Sequence, residues 1–191
     1  IDVSQITAYS IKDRYSKVDL GQFARKGAVD TSSLLDALPD LLCAKDLKEL
    51  ITACKVAKNQ GKAIILGLGG HVIKCGMAPL LIELMEAGYV SAIAINGSVI
   101  IHDYEIAHYG TTSEDVGKAL ETGSFGLAFE TCYNINNIIS AGSEAELGLG
   151  EAVGKAILDE APNRDLSLLA MAYKLSVPVT VHVAIGTDII H

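Results

Sequence analysis

Within a short stretch, His102, Asp103, Glu105 and His108 bring two imidazoles and two carboxylates together along the chain. Such a set can do three different things. If the segment is helical, positions 102 and 105 share a face and 108 follows nearly two turns on, so the side chains could hold a zinc or iron ion. An imidazole beside a carboxylate could instead act as a base with its orienting partner, removing a proton from an amine or hydroxyl under oxidation. The third reading is structural, with the aspartate capping a helix. Histidines in that setting are more often packed than liganded. We therefore expect no metal and assign His102 and Asp103 as the candidate catalytic pair, with a metal-assisted hydrolase using the His102 region as an alternative.

Two glycine turns precede this group. In "ILGLGGHVIKCG" an apolar strand runs into glycines, and Gly67 and Gly69 satisfy the first two positions of a G-x-G-x-x-G fingerprint. Val72 occupies the third, and the next strand ends Ile95-Asn96 rather than in the acid that would hold a ribose, so the full dinucleotide pattern is not met. Small residues such as Gly69 and Gly70 still let a ligand approach the backbone, and the following helix offers unpaired amides to an anion. Lys74, one turn into that helix, could add charge beside a phosphate. The plain alternative is a tight strand-to-helix turn with an exposed lysine. Asn96, Gly97 and Ser98 form a second turn at the end of the neighbouring strand. Adjacent turns of this kind are where open α/β sheets bind ligands. Asp188, at the end of a buried strand, is a further candidate, since a charge there needs a reason. A helix cap is its rival reading.

The elements that must position these residues follow from periodicity. Residues 34–61 read as a helix, interrupted at Pro39 and stopped by Gly61. Residues 62–68 form a strand, 71–87 a helix that Pro79 could kink, and 89–95 a second strand, together a right-handed βαβ unit. Ser113 and two acids after it read as the start of a further helix. Residues 124–174 read as successive helices broken near Gly142 and Pro162, and "VPVTVHVAI" closes as a strand. The amide-rich Thr131 to Asn137 stretch suggests a buried polar network or subunit contact. Alternating helices and strands imply an α/β fold, a parallel sheet covered by helices on both faces. Residues 1–33 show no sustained period and read as an N-terminal arm or docking segment. Residues 34–191 read as the domain, expected to be incomplete at its C-terminal end.

The stretch "GGHVIKCGMAPLLIELMEAGYVSAIAINGSVIIHDYE" resembles the NAD-binding core of the deoxyhypusine synthase family, above all its archaeal members. It is also similar to a domain shared with archaeal ornithine cyclodeaminases, whose His-Asp segment is followed by an element like Gly110-Thr111-Thr112-Ser113. The likeness is good over residues 66–103 and extends to "VPVTVHVAIGTD". It implies a three-layer Rossmann-like fold, NAD as cofactor, a tetramer, and hydride transfer from an amine. By that match Gly70, His71, Cys75, Asn96, Gly97 and Ser98 would line the dinucleotide, Asp188 would contact cofactor or substrate, and His102 would stand where eukaryotic members place an acid near the polyamine. The departures concern substrate. Ile101 and His102 replace two adjacent acids, and no tryptophan and no lysine beyond Lys174 supply the family's C-terminal catalytic segment.

Composition narrows the remaining classes. A net charge of −8 with no basic cluster argues against sequence-independent nucleic-acid binding. The longest apolar run is too short and too polar to span a membrane, and the four dispersed cysteines read as free thiols in a reducing, cytoplasmic setting. The expectation is a deoxyhypusine synthase-like, NAD-dependent transferase acting on a small amine-bearing substrate as a homo-oligomer. A second class, an NAD-binding structural or regulatory module without catalysis, is its main rival.

Overall fold

The computed structural model describes residues 7–23, 35, 37, 38, 40–187 and 190. Three parallel strands form the central sheet in the order β2 (Ile65–Leu68), β3 (Ala92–Asn96), β5 (Val179–His182). Between β2 and β3 the chain makes α2 (Gly70–Lys74) and α3 (Ala78–Glu86). Between β3 and β5 it makes α4 (Gly97–Tyr109), the short strand β4 (Thr111–Glu114), and α5 (Val116–Thr122). The helices α6 (Phe129–Glu144), α7 (Leu149–Glu160) and α8 (Leu168–Lys174) complete that crossover. This is the parallel, helix-flanked α/β sheet that the alternating pattern implied. Register puts Leu66, Leu68, Ile93, Ile95, Val179 and Val181 on one face, where Ile93 and Ile95 are buried in the core. Ile65, Gly67, Ala92, Ala94 and Thr180 share the other face, which is partly open to solvent. Both crossovers move the same way along the sheet, so a common right hand sets their helices on the same side.

Several elements differ from the sequence-based expectation. The helix expected over 71–87 is two helices. Gly76 between them is left-handed (φ +78°), and a Cβ there would lie 2.9 Å from the Phe23 backbone, so chain direction and close packing both call for glycine. Pro79 then sits in the first turn of α3, where its missing amide costs nothing. Ser113 does not cap a helix. It has φ +67° inside β4, which pairs antiparallel with β1 (Ser16–Asp19), and α5 begins after Asp115 instead. Left-handed Gly110 turns the chain from α4 into that strand. The break expected near Gly142 is present, with α6 running on to Glu144 and α7 starting at Leu149. Residues 8–23 of the segment read as an arm lie against the domain through β1 and through hydrogen bonds between Tyr9 and residues 127 and 129. Of the helix expected from residue 34, the part before Pro39 falls mostly outside the described residues. The remainder is α1 (Leu42–Asn59), which Gly61 ends and which buries none of its residues.

Small residues let α7 reach its neighbours. A Cβ on Gly150 or Gly154 would come within 2.5 Å of the Val179 or Leu169 carbonyl oxygen, respectively, and one on Gly142 would collide with Ala152. The contacts of Gly150 and Gly154 are with backbone and that of Gly142 is with an alanine Cβ, so none can be relieved by a rotamer change. Gly154→Ala should lower the unfolding free energy by about 1–3 kcal/mol in urea denaturation, despite the better helix propensity of alanine.

Candidate functional site

Strands β2 and β3 end side by side, and the two glycine turns meet there. Gly69 is the N-cap of α2, and Gly70 packs so close to α4 that a Cβ would lie 2.7 Å from Ser98 Oγ and 2.8 Å from His102 Cδ2. Among the described residues there is nothing within 4 Å of such an atom at Gly67 or Gly69, so none of them covers the backbone at the carboxyl edge of β2. Asn96 precedes α4, yet its side chain does not cap that helix. Its Oδ1 accepts instead from Ser98 Oγ at 2.8 Å. Without a side-chain cap, the first amides of α4 remain available to an anion. His71 and Cys75 are exposed beside the first turn, while Lys74 and Ser98 are half-buried.

Lys74, Ser98 and His102 face a cavity of about 220 Å³ that is closed by Ile101, Phe125 and Ile190 among others. Beneath His102 lies a buried polar chain. Its Nδ1 is 2.7 Å from Thr112 Oγ1, and that hydroxyl donates to Glu105 Oε2 at 2.6 Å. Glu105 also accepts from Thr131 Oγ1 (2.9 Å) and, on both oxygens, from the Arg14 guanidinium at 3.0 and 2.8 Å. Glu105, Thr112 and Thr131 are all buried, and the Arg14 side chain is 7% exposed. A bidentate arginine with two hydroxyl donors satisfies a carboxylate that would otherwise be costly to bury. Burial pushes the pKa of His102 down to about 4. The charges of Lys74, Arg14 and His71 add to that shift, and Glu105 opposes it. The imidazole is therefore neutral near pH 7 and free to accept a proton.

The expected catalytic pair separates. Asp103 is wholly buried on another face of α4 and serves α8. It accepts from Ser167 Oγ at 2.6 Å and from the backbone amides of Leu168 and Leu169 at 2.9 and 3.0 Å. Burial raises its pKa, and these three donors pull it back in part. His108 stacks on Tyr104 at 4.2 Å between ring centroids, and its Nε2 is buried without a partner. The residues grouped above as potential metal ligands thus point to different places, and no cluster of three or more His, Cys, Asp or Glu with metal-site geometry occurs among the described residues. Asp188 lies outside the described residues. Glu105, read earlier only as a possible ligand, proves to be the hub of the site. Arg14 and Thr112 were not foreseen as part of the site, and Thr131 was expected only in a buried polar network, because the contacts that assemble them span 91, 10 and 26 residues.

A family model described as the C-terminal Rossmann-fold domain of ArgZ-like arginine dihydrolase matches residues 46–166. Among curated proteins no sequence matches significantly. Solved structures of similar fold include ArgZ, an arginine dihydrolase of the cyanobacterial ornithine–ammonia cycle, with 18% identity and a TM-score of 0.51 over 76% of this chain and 19% of that one. The ternary complex of AgrE with ornithine and NAD⁺ aligns with 18% identity and a TM-score of 0.50 over 75% of this chain and 20% of that one. An Entamoeba histolytica protein provisionally assigned as a deoxyhypusine synthase aligns with 13% identity and a TM-score of 0.51 over 92% and 61%. The chain therefore spans about a fifth of the ArgZ and AgrE chains, and at these identities the likeness is one of fold. No helix among the described residues is long and apolar enough to cross a membrane.

If Asp103 is the cap seen here, Asp103→Ala leaves a buried hydroxyl and two buried amides unpaired. The variant should lose about 3 kcal/mol or more of unfolding free energy, read by chemical denaturation. Full stability of that variant would contradict the capping role.

Proposed function

The chain belongs to the ArgZ-like C-terminal Rossmann-fold family, and on that premise we propose that it is the nucleotide-binding part of an NAD-dependent enzyme that oxidises a small amine-bearing substrate. The observation that carries the reading is the placement of neutral His102 at a cavity beside two glycine turns at the carboxyl edge of a parallel sheet. In such sheets that edge is the ligand-binding side.

The residues present fit NAD. The bare backbone at Gly67 and Gly69 leaves room for a dinucleotide, the uncapped start of α4 at Gly97 and Ser98 suits a phosphate, and Lys74 adds positive charge at the same edge. Bound NAD would supply a hydride acceptor. The chain's own part is to hold the substrate in the cavity, keep its reacting end away from water with Ile101, Phe125 and Ile190, and take a proton from the amine at His102.

Between an amino acid and a polyamine, the charge arrangement favours the amino acid. Two carboxylates line the cavity, and both are engaged. Glu105 is held by Arg14 and the threonines, and Glu114 accepts from the Tyr9 hydroxyl at 2.8 Å and the Gly126 amide at 2.7 Å. A polycation would need carboxylate oxygens not already engaged, whereas Lys74 suits a substrate that itself carries a carboxylate. The NAD⁺ and ornithine named for the AgrE complex support the same choice. Transfer of an alkyl-amine group to a lysine, the finer reading by resemblance to deoxyhypusine synthase, has only fold likeness behind it.

Calorimetric titration of the purified protein with NAD⁺ tests the cradle. Wild type should bind saturably. Gly69→Val, whose Cβ would have no described atom within 4 Å and whose extended N-cap geometry is open to valine, should weaken binding tenfold or more while costing at most about 1 kcal/mol of stability. A folded wild type that binds no NAD⁺, or a variant that binds equally well, would overturn the proposal.

A further inference from the structure

Which nitrogen of His102 carries the proton decides what the ring can do, and the surrounding hydrogen bonds fix the answer. The Thr112 hydroxyl has one proton to give. Its oxygen lies 2.6 Å from Glu105 Oε2 and 2.7 Å from His102 Nδ1. Glu105 is paired on both oxygens with Arg14 and, as a carboxylate, can only accept. Thr112 must therefore donate to Glu105 and accept from the ring. If Nδ1 were bare, either the threonine oxygen would face it lone pair to lone pair, or the Glu105 carboxylate would lose its donor. Neither state is tolerable in a site where Thr112 is fully buried.

We infer that Thr112, held as a donor by the Arg14-paired carboxylate of Glu105, locks neutral His102 as its Nδ1–H tautomer and turns a bare Nε2 toward the cavity. Nε2 makes no hydrogen bond among the described residues. His102 itself lines the cavity, beside Ser98 and Lys74. Thr112, Glu105 and Arg14 are in this account positioning residues. They act through the imidazole and need touch neither cofactor nor substrate, as outer partners of a reactive histidine generally do. Arg14 comes from the segment ahead of β1, so that segment takes part in the site as well as in the fold.

The arrangement also constrains His102 electrostatically. Lys74 and His71 face it from α2, Arg14 from the N-terminal segment and Glu105 from its own helix. The one negative group among them is tied to Arg14, so protonation of Nε2 gains little from its surroundings. The bare nitrogen can receive a proton from a bound donor, and a substrate carrying an anionic group would strengthen it as a base.

The inference gives His102 its specific role within the proposed function, yet the tautomer can be measured without NAD or substrate and stands or falls separately from cofactor binding. Nitrogen-15 and carbon-13 NMR of the histidine side chains, assigned with His102→Gln, should show wild-type His102 at pH 7 with a protonated Nδ1 and a bare Nε2. Thr112→Val keeps the shape and removes the hydroxyl, and its ring should revert to the Nε2–H form that a free histidine side chain favours. Thr112→Ser should restore the wild-type pattern. A wild-type ring protonated on Nε2, or a valine variant that keeps Nδ1–H, would overturn the inference. The wild-type spectrum decides the point even if the valine variant does not fold.

Discussion

The carboxylate of Glu105 is the constraint on which the rest of the site depends. It accepts four hydrogen bonds, two from Arg14 and one each from Thr112 and Thr131. Those donors come from three places: the segment before β1, strand β4 and helix α6, and Thr112 links the carboxylate on to the imidazole on α4. Burying such a charge is unfavourable unless every oxygen is satisfied, and removing one partner from a buried pair costs about 3–5 kcal/mol. Its value lies less in net stability than in geometry, because the donors can be satisfied together in only one arrangement. That arrangement brings β4 back along α4, sets the left-handed turn at Gly110, and stands His102 at the cavity.

Asp103, its near neighbour in sequence, does a parallel job on another face. Its three donors all belong to the start of α8, so one helix supplies two buried carboxylates that organise two regions of the fold. The sequence pattern His-Asp suggested a base with an adjacent orienter. The structure gives the orienting role to the residue three positions on, which shares the face of the histidine, because neighbouring residues on a helix point about 100° apart.

What could be read from the sequence was what depends on local pattern. The strands at 65–68, 92–96 and 179–182 stand out as apolar runs bounded by glycine, asparagine or proline, and their parallel pairing follows from the helices between them. The two glycine turns were placed correctly because strand ends are local features. The misread elements were settled by distant contacts. Ser113 looks like a cap until β1 pairs with its strand from about a hundred residues away. Gly76 looks like an ordinary helix residue until Phe23 packs against it. Arg14 carries no local signal at all, since its meaning comes from a carboxylate 91 positions on.

The layering of the sheet bears on the same site. With both crossovers on one side, the core holds Ile93 and Ile95 while the carboxyl edge of β2 stays bare at Gly67 and Gly69. The central claim is that this edge, next to His102, receives a dinucleotide. Adding NAD⁺ to nitrogen-15-labelled protein and following the amide spectrum tests it most directly. The account predicts saturable shifts concentrated at Gly67, Gly69, Gly97 and Ser98, with α7 and α8 unmoved. Shifts centred elsewhere, or none at saturating NAD⁺, would contradict it.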